Sequence, residues 1–261
     1  MNSKEKILNL LESNKSTYIS GETMATSLGI SRNAIWKAIN ELRKAGYEID
    51  AVSNKGYRLA EGNDILSPSG IYSYLNDRVT SIYKDTDLIH ILDSTTSTNR
   101  IAKELAIVDP VYGTLVVANE QTNGRGRSDH NFYSPKGGLY MSVIMTPSHL
   151  PSTDSDEITT FIGNSVCEAI AAITPVKPRL KPINDLFIDS KKICGILTEA
   201  GTEFETGRLQ WIVVGIGINF SSDISEFPDD IKEKATSIFP DGNPTITRNQ
   251  LVAEILNRIL N

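Results

Sequence analysis

Between Asn119 and Ser128 the chain reads Asn-Glu-Gln-Thr-Asn-Gly-Arg-Gly-Arg-Ser, so that Gly124 and Gly126 alternate with Arg125 and Arg127. Glycine lacks a Cβ and tolerates positive φ, which lets backbone N–H groups approach an anion. Each guanidinium adds a planar fork matched to carboxylate or phosphate oxygens. Such a loop suits a phosphorylated ligand; the same composition also suits an RNA-binding patch or a solvated turn. It is not a loop of the G-x-x-x-x-G-K-[ST] kind, which occurs nowhere in the chain. The run Gly215-Ile216-Gly217-Ile218-Asn219-Phe220 lacks the third glycine of a dinucleotide fingerprint.

A second cluster, Lys181-Pro182-Ile183-Asn184-Asp185, enters a strand ahead of Lys191-Lys192-Ile193-Cys194-Gly195-Ile196-Leu197-Thr198-Glu199. A lysine at a strand entrance is ordinarily solvated. Beside the arginine loop it would supply a compact positive charge between a ligand carboxylate and a phosphate, as nucleotide transfer onto a carboxylate requires. A third cluster, Ser94-Thr95-Thr96-Ser97-Thr98-Asn99, reads either as a helix N-cap or as hydroxyls and an amide that hold a small polar head group.

The elements that must position these clusters alternate from residue 88 onward. Strands are expected at Leu88 to Leu92, Thr114 to Asn119, Leu139 to Thr146, Asp185 to Ile188, Gly195 to Glu199 and Leu209 to Ile218. Helices are expected from Asn99 to Ala106 and from about Asp156 to Ile173, the second opening on acidic residues that suit the helix dipole. The class is α+β with a largely antiparallel sheet. Upstream, Ile7, Leu8, Leu10 and Leu11 fit a short helix, and Ser20 opens a second that ends at Gly29. Ser31 caps a third helix, with Ile35, Ala38, Ile39 and Leu42 at helical spacing and Gly46 as its stop. Two short strands flank the turn Ser53-Asn54-Lys55-Gly56, completing a winged helix-turn-helix. Residues 1–62 form this domain, 63–70 a polar linker and 71–261 the second domain.

Away from its apolar stripe the third helix carries Arg32, Asn33, Trp36, Lys37 and Asn40, with Lys55 at the hairpin tip, residue types suited to phosphates and base edges. Winged helices also pack on proteins, but the absence of any carboxylate on this face before Glu41 favours DNA. Net charge agrees: the first 61 residues hold 9 Lys+Arg against 7 Asp+Glu, whereas the remaining 200 hold 17 against 25. An acidic protein meets DNA only through a locally basic face. Two cysteines 27 positions apart, Cys167 and Cys194, suggest neither a disulfide framework nor a zinc site. No export signal opens the chain and no apolar run approaches a membrane span, so a cytoplasmic protein without membrane contact is expected.

In order and spacing the clusters resemble the biotin-protein ligase family, in its bifunctional form that is also the biotin operon repressor. The residues that carry the resemblance are Ser97-Thr98-Asn99, Gln121 with Gly124-Arg125-Gly126-Arg127, Ser134-Pro135-x-Gly137-Gly138-Leu139-Tyr140-Met141-Ser142, Lys181-x-x-Asn184-Asp185, Gly195-Ile196-Leu197 and Gly215-x-Gly217-Ile218-Asn219. The resemblance implies a class II synthetase-like central domain that adenylates biotin with ATP and magnesium, then passes the biotinyl group to a lysine of a carrier protein. It further implies biotinyl-adenylate as corepressor, operator DNA as a second partner, and a homodimer when ligand is bound. Carried over by position, the biotin site comprises Ser97, Thr98, Asn99, Gln121, Arg125, Gly126, Arg127 and Lys181. Arg127 and Lys181 would be catalytic, Arg127, Asn184 and Asn219 would lie at the nucleotide, and the metal ligands are not assigned.

Three departures from the family pattern stand out. Pro182-Ile183 replaces the usual Trp-Pro, and Ser128-Asp129-His130 replaces further Arg and Gly residues of the loop. The family's SH3-like carboxy-terminal domain is expected to be absent, since the sequence stops at Asn261 in a helix opened by Thr247 and Gln250. That departure keeps open a second reading, a biotin-sensing repressor with impaired catalysis; a lipoate ligase is a more distant option.

Overall fold

The computed structural model describes residues 3–15, 17–60, 62–83, 86–127, 130–181 and 184–260. The amino-terminal unit comprises α1 (Ser3–Glu12), α2 (Gly21–Leu28), α3 (Arg32–Lys44) and an antiparallel hairpin of β1 (Ile49–Val52) and β2 (Gly56–Leu59). The caps are those expected: Ser20 and Ser31 each accept a backbone N–H from the first turn, and Gly29 ends α2 in the left-handed region at φ 64°. Ile35, Ala38, Ile39 and Leu42 of α3 are buried against Ile7, Leu11, Met24 and Leu59. Tyr57 of β2 exchanges backbone hydrogen bonds with Ile19, and a Cβ on Gly56 would lie 2.0 Å from the Ile19 carbonyl oxygen, so that turn position requires glycine.

After α4 (Pro68–Tyr72) and α5 (Asp77–Thr80), the second unit alternates through β3 (Ile89–Thr95), α6 (Thr98–Val108), β4 (Leu115–Gln121), β5 (Leu139–Met145) and α7 (Ser155–Ile173). It continues with β6 (Arg179–Lys181), β7 (Asp185–Ile188), β8 (Lys191–Thr202), β9 (Leu209–Ile218), α8 (Asp229–Lys232) and α9 (Arg248–Ile259). The sheet order is β3-β4-β5-β9-β8-β7-β6, parallel only between β3 and β4. One face is buried under α4, α7 and α9 by residues that alternate along the strands, among them Leu115, Val117, Met141, Val143, Val214 and Ile216. On the opposite face α6 covers Val116, Ile144, Trp211 and Val213.

The stretch expected as a polar linker is docked. Leu66, Ser67 and Gly70 are buried, and Asn249 accepts the Ser67 N–H at 3.1 Å and donates to the Ile65 carbonyl at 2.8 Å. Next to it, Arg248 pairs with the Asp64 carboxylate at 2.7 Å. The composition of this segment is polar, but its polar groups are spent on α9 rather than on water. The strand expected at Gly195 to Glu199 extends from Lys191 to Thr202. Among the described residues no helix is long and apolar enough to cross a membrane. Cys194 is buried and Cys167 partly so, neither in a disulfide; burial pushes the Cys167 thiol up to about 11.

Candidate functional site

Beyond the amino terminus of α6 the strand alternation continues but the side chains shrink. Where Val116, Ile144 and Val213 fill the space under the helix, the same face then presents Ser142, Gly195, Gly215 and Gly217. The result is a cavity of about 300 Å³ over β8 and β9, with Gly195 paired to Gly217 and Leu197 to Gly215 across its floor. Size decides here: a Cβ on Gly215 would stand 2.0 Å from Asn99 Oδ1, and one on Gly217 would stand 2.7 Å from the Phe132 ring.

One end of the cavity is built of hydroxyls and amides. Ser97 occupies the N-cap position of α6 without a side-chain capping bond, leaving Thr98 and Asn99 in the first turn. The Thr98 N–H and hydroxyl both donate to Gln121 Oε1, at 2.8 and 3.1 Å, and Gln121 Nε2 donates to Ser134 Oγ at 2.9 Å. These bonds fix the carboxamide at the end of β4, and Ser97, Thr98, Asn99 and Gln121 all line the cavity.

The Gly-Arg-Gly-Arg loop closes the site as an irregular hairpin. Gln121 and Phe132 donate their N–H groups to the Ser134 and Gly124 carbonyls, and Gly126 donates to the His130 carbonyl at 2.7 Å. Gly124 is enclosed, since a Cβ there would meet the Phe132 carbonyl oxygen at 2.4 Å. The Gly126 amide, expected to face an anion, is therefore engaged inside the loop, and the guanidiniums are the groups left to meet one. Arg125, Gly126 and Arg127 line the cavity, with Arg127 exposed and 4.0 Å from Asp156 in the first turn of α7. Phe132 lies across the glycine floor, against Gly195 and Gly217. The loop residues Ser128 and Asp129, and Pro182 and Ile183 of the second cluster, lie outside the described residues.

Lys181 ends β6 with an exposed side chain whose ammonium rests 4.1 Å from the Phe187 ring centroid, and it does not line the cavity. Lys192 on β8 does; its Nζ pairs with Asp185 at 2.7 Å and sits 5.8 Å from the Phe132 ring centroid. Both lysines stand beside Asp185: Lys181 is its register partner across β6–β7, and Lys192 reaches it from β8, past an irregularity in the β7–β8 pairing between Leu186 and Phe187. Asn184 lines the cavity, its Nδ2 donating to the Ile196 carbonyl at 3.1 Å. Asn219 does not: it is buried at the end of β9 and donates from Nδ2 to the Thr236 carbonyl at 3.1 Å. Phe132 was not singled out in the sequence, and Ser142, Asp185 and Lys192 were quoted within motifs but given no site role, because periodicity does not distinguish such a role from ordinary strand or loop packing.

Asp185 is the one carboxylate on the described cavity wall, and no group of three or more His, Cys, Asp or Glu side chains gathers as a metal site among the described residues. On the amino-terminal unit, Arg32, Asn33, Trp36 and Lys37 are exposed along one side of α3, Asn40 is half-buried beside them, and Lys55 is exposed at the hairpin tip.

Comparison with known proteins agrees with this geometry. Residues 3–58 match an HTH domain and residues 91–219 match the biotin/lipoate A/B protein ligase family. The bifunctional ligase/repressor BirA of Bacillus spizizenii is 37% identical over 257 residues, covering 97% of this chain and 76% of the relative. BirA of Escherichia coli is 29% identical over 92% of this chain and 70% of its own. Among solved structures, the biotin protein ligase of Aquifex aeolicus in complex with biotin and ATP superposes with a TM-score of 0.55 at 32% identity, covering 66% of this chain and 68% of that one. With a helix-turn-helix ahead of the ligase-type domain and this identity sustained along nearly its whole length, the chain belongs to the biotin/lipoate protein ligase family, in the bifunctional ligase/repressor branch.

Proposed function

We propose that the protein is an ATP-dependent biotin-protein ligase that also represses transcription, with the cavity over β8 and β9 as its active site. The observation that carries this reading is the arrangement of one cavity with two kinds of wall. Hydroxyls and an amide around Thr98 and Gln121 line it together with the cations Arg125, Arg127 and Lys192. The first wall suits the ureido ring of biotin, and the second suits a carboxylate beside a triphosphate.

In the first step a biotin carboxylate oxygen attacks the α-phosphorus of ATP. The bond to the bridging oxygen breaks, and pyrophosphate leaves. Negative charge builds where two anions meet, and fixed cations in a partly enclosed site lower that barrier. Lys192 takes the role first expected of Lys181: held by Asp185, its ammonium is a compact charge at the cavity wall. Arg125 and Arg127 reach over the mixed anhydride from the loop and restrict water. In the second step a carrier-protein lysine amine attacks the acyl carbon, forming an amide and releasing AMP. Magnesium keeps most of its ligands from water and nucleotide phosphates, so a single protein carboxylate suffices; Asp185 is the residue that would hold it, and there it would neutralise phosphate charge.

For repression, α3 enters a major groove with Arg32, Asn33, Trp36, Lys37 and Asn40, and Lys55 on the wing contacts backbone phosphates. Operator half-sites call for a homodimer. The flank of β8 beyond Gly195 supports one, because β7 pairs with β8 only as far as Gly195 while β9 covers its other side to Thr202. A cytoplasmic setting suits both the DNA target and two thiols outside any disulfide.

The test is mass spectrometry of the protein incubated with biotin, ATP and magnesium, then with a biotin-accepting carrier domain. Biotinyl-adenylate followed by biotinylated carrier is expected. Retention of biotin without adenylate marks a sensor that does not catalyse, and adenylation of lipoate in preference to biotin marks a lipoate ligase.

A further inference from the structure

Beneath the hydroxyl end of the cavity runs a line of hydrogen bonds that none of the roles above uses, and it ends on a carboxylate. Glu199 Oε1 accepts from Lys103 Nζ at 2.6 Å, and its Oε2 accepts from Asn99 Nδ2 at 2.9 Å. The Leu197 carbonyl lies within 3.3 Å of the same Asn99 nitrogen. Asn99 therefore turns Oδ1 away from β8, to within 2.6 Å of Ser142 Oγ. The two ends of a carboxamide are alike in shape and opposite in bonding, so its orientation is decided by its neighbours. Here the amide is 4% exposed and the serine fully buried.

Ser142 has one hydroxyl proton and two acceptors in reach, Asn99 Oδ1 at 2.6 Å and Thr98 Oγ1 at 2.8 Å. As long as Asn99 presents its oxygen, Asn99 and Thr98 share that proton. Thr98, whose own proton goes to Gln121 Oε1 at 3.1 Å, then keeps lone-pair density for a donor in the cavity it lines. Were Asn99 reversed, its NH₂ would donate to Ser142, and the serine proton would turn wholly onto Thr98 and weaken it as an acceptor. A carboxylate below Asn99 accepts only, so it holds the useful orientation.

We infer that Glu199, anchored by Lys103, is a positioning residue for biotin: it sets the Asn99 amide and through Ser142 keeps the Thr98 hydroxyl an acceptor for a ureido N–H. This rests on the biotin reading above. It assigns to the Lys103–Glu199 ion pair a purpose beyond joining α6 to β8.

The test is calorimetric titration of the full chain with biotin, with the KM for ATP measured from pyrophosphate release, using Glu199→Gln alone and combined with Lys103→Met. Glutamine keeps the shape of the glutamate. In the single variant the Lys103 ammonium claims the glutamine oxygen and turns the glutamine NH₂ toward Asn99, which reverses. Removing the ammonium in the double variant lets the oxygen turn back to Asn99. Biotin affinity is expected to fall about tenfold in the single variant, the scale of a lost charge-assisted hydrogen bond, with the KM for ATP within about twofold of the parent. The double variant is expected to regain most of the loss. A purely structural ion pair would give the opposite order, since the double variant removes both charges. Parent-like affinity in Glu199→Gln, a parallel rise in the KM for ATP, or a double variant no tighter than the single would each overturn the assignment. Failure of the parent chain to bind biotin would instead overturn the function proposed above, and this inference with it.

Discussion

At the scale of single residues the site depends on what is missing from side chains as much as on what is present. Gly215 exists because Asn99 Oδ1 occupies the volume a Cβ would need, 2.0 Å away, and neither β9 nor the buried Asn99 has room to retreat. Gly215→Ala is accordingly expected to push Asn99 off its partners. Biotin affinity should fall by more than about tenfold while far-UV circular dichroism stays that of the parent; unchanged affinity would show that the Asn99 geometry is not needed. Composition singled out the arginine loop and the Ser-Thr-Asn cluster with alternatives open, and their expected place at a biotin site, like that of Gln121, came from the family resemblance. Which lysine lines the cavity was not legible in the sequence, because Lys181 and Lys192 both lie beside Asp185, one opposite it in the β6–β7 register and the other ion-paired with it from β8. Asn219 poses a related problem: a polar residue at a strand end reads the same in sequence whether or not it meets a ligand, and here its Nδ2 donates to the Thr236 carbonyl.

At the scale of elements, those with strong signals at both ends were placed correctly. Helix α3 has Ser31 before it, an apolar stripe within it and Gly46 after it, while the α9 start carries a full capping box of Thr247 and Gln250. β6, α4, α5 and α8, of three to five residues each, gave too few positions to establish a period, although β1, β2 and β7, of four residues each, were anticipated. The exposed side of α3 leads to a prediction at this scale. Arg32→Ala and Lys37→Ala should each weaken DNA binding about equally on specific and unrelated duplexes if they meet phosphates, lowering the salt-dependence slope by about one, whereas Asn33→Ala should act on sequence preference. Mobility shifts over a range of salt distinguish these outcomes, and indifference to all three substitutions would remove α3 from the interface.

At the scale of the whole molecule the two units are joined by specific polar contacts rather than by a slack tether. Arg248 is central: it pairs with Asp64 of the connecting segment while its Nη1 donates to Asn119 Oδ1 at 2.9 Å and to the Gly138 carbonyl at 3.2 Å, beside the strands that carry the site. A polar, Gly- and Ser-containing stretch cannot reveal such docking, because its partners lie about 180 residues away in sequence, as the Asp64–Arg248 separation of 184 shows. At the same junction Glu12 is buried in α1, and burial lifts its carboxyl above the ordinary range against the pull of Lys15 at 3.2 Å. The folded state thus keeps a proton that the unfolded chain has released, so stability falls as pH rises from about 4.5 toward the lifted value and is level above it. Glu12→Gln lacks that slope. Denaturant unfolding should therefore show the stability of the variant minus that of the parent rising as pH climbs through this window; a difference that stays constant or falls would contradict the burial argument.

The central claim is that activation of biotin takes place over the β8–β9 glycine floor, with Lys192 as the charge that meets the reacting phosphate. Its most direct test is biotin-dependent pyrophosphate release from ATP by the parent chain, Lys181→Met and Lys192→Met side by side. The expected result is release that requires both substrates, falls about a hundredfold or more in Lys192→Met and changes by only a few-fold in Lys181→Met. Release that survives in Lys192→Met but is lost in Lys181→Met would contradict the claim.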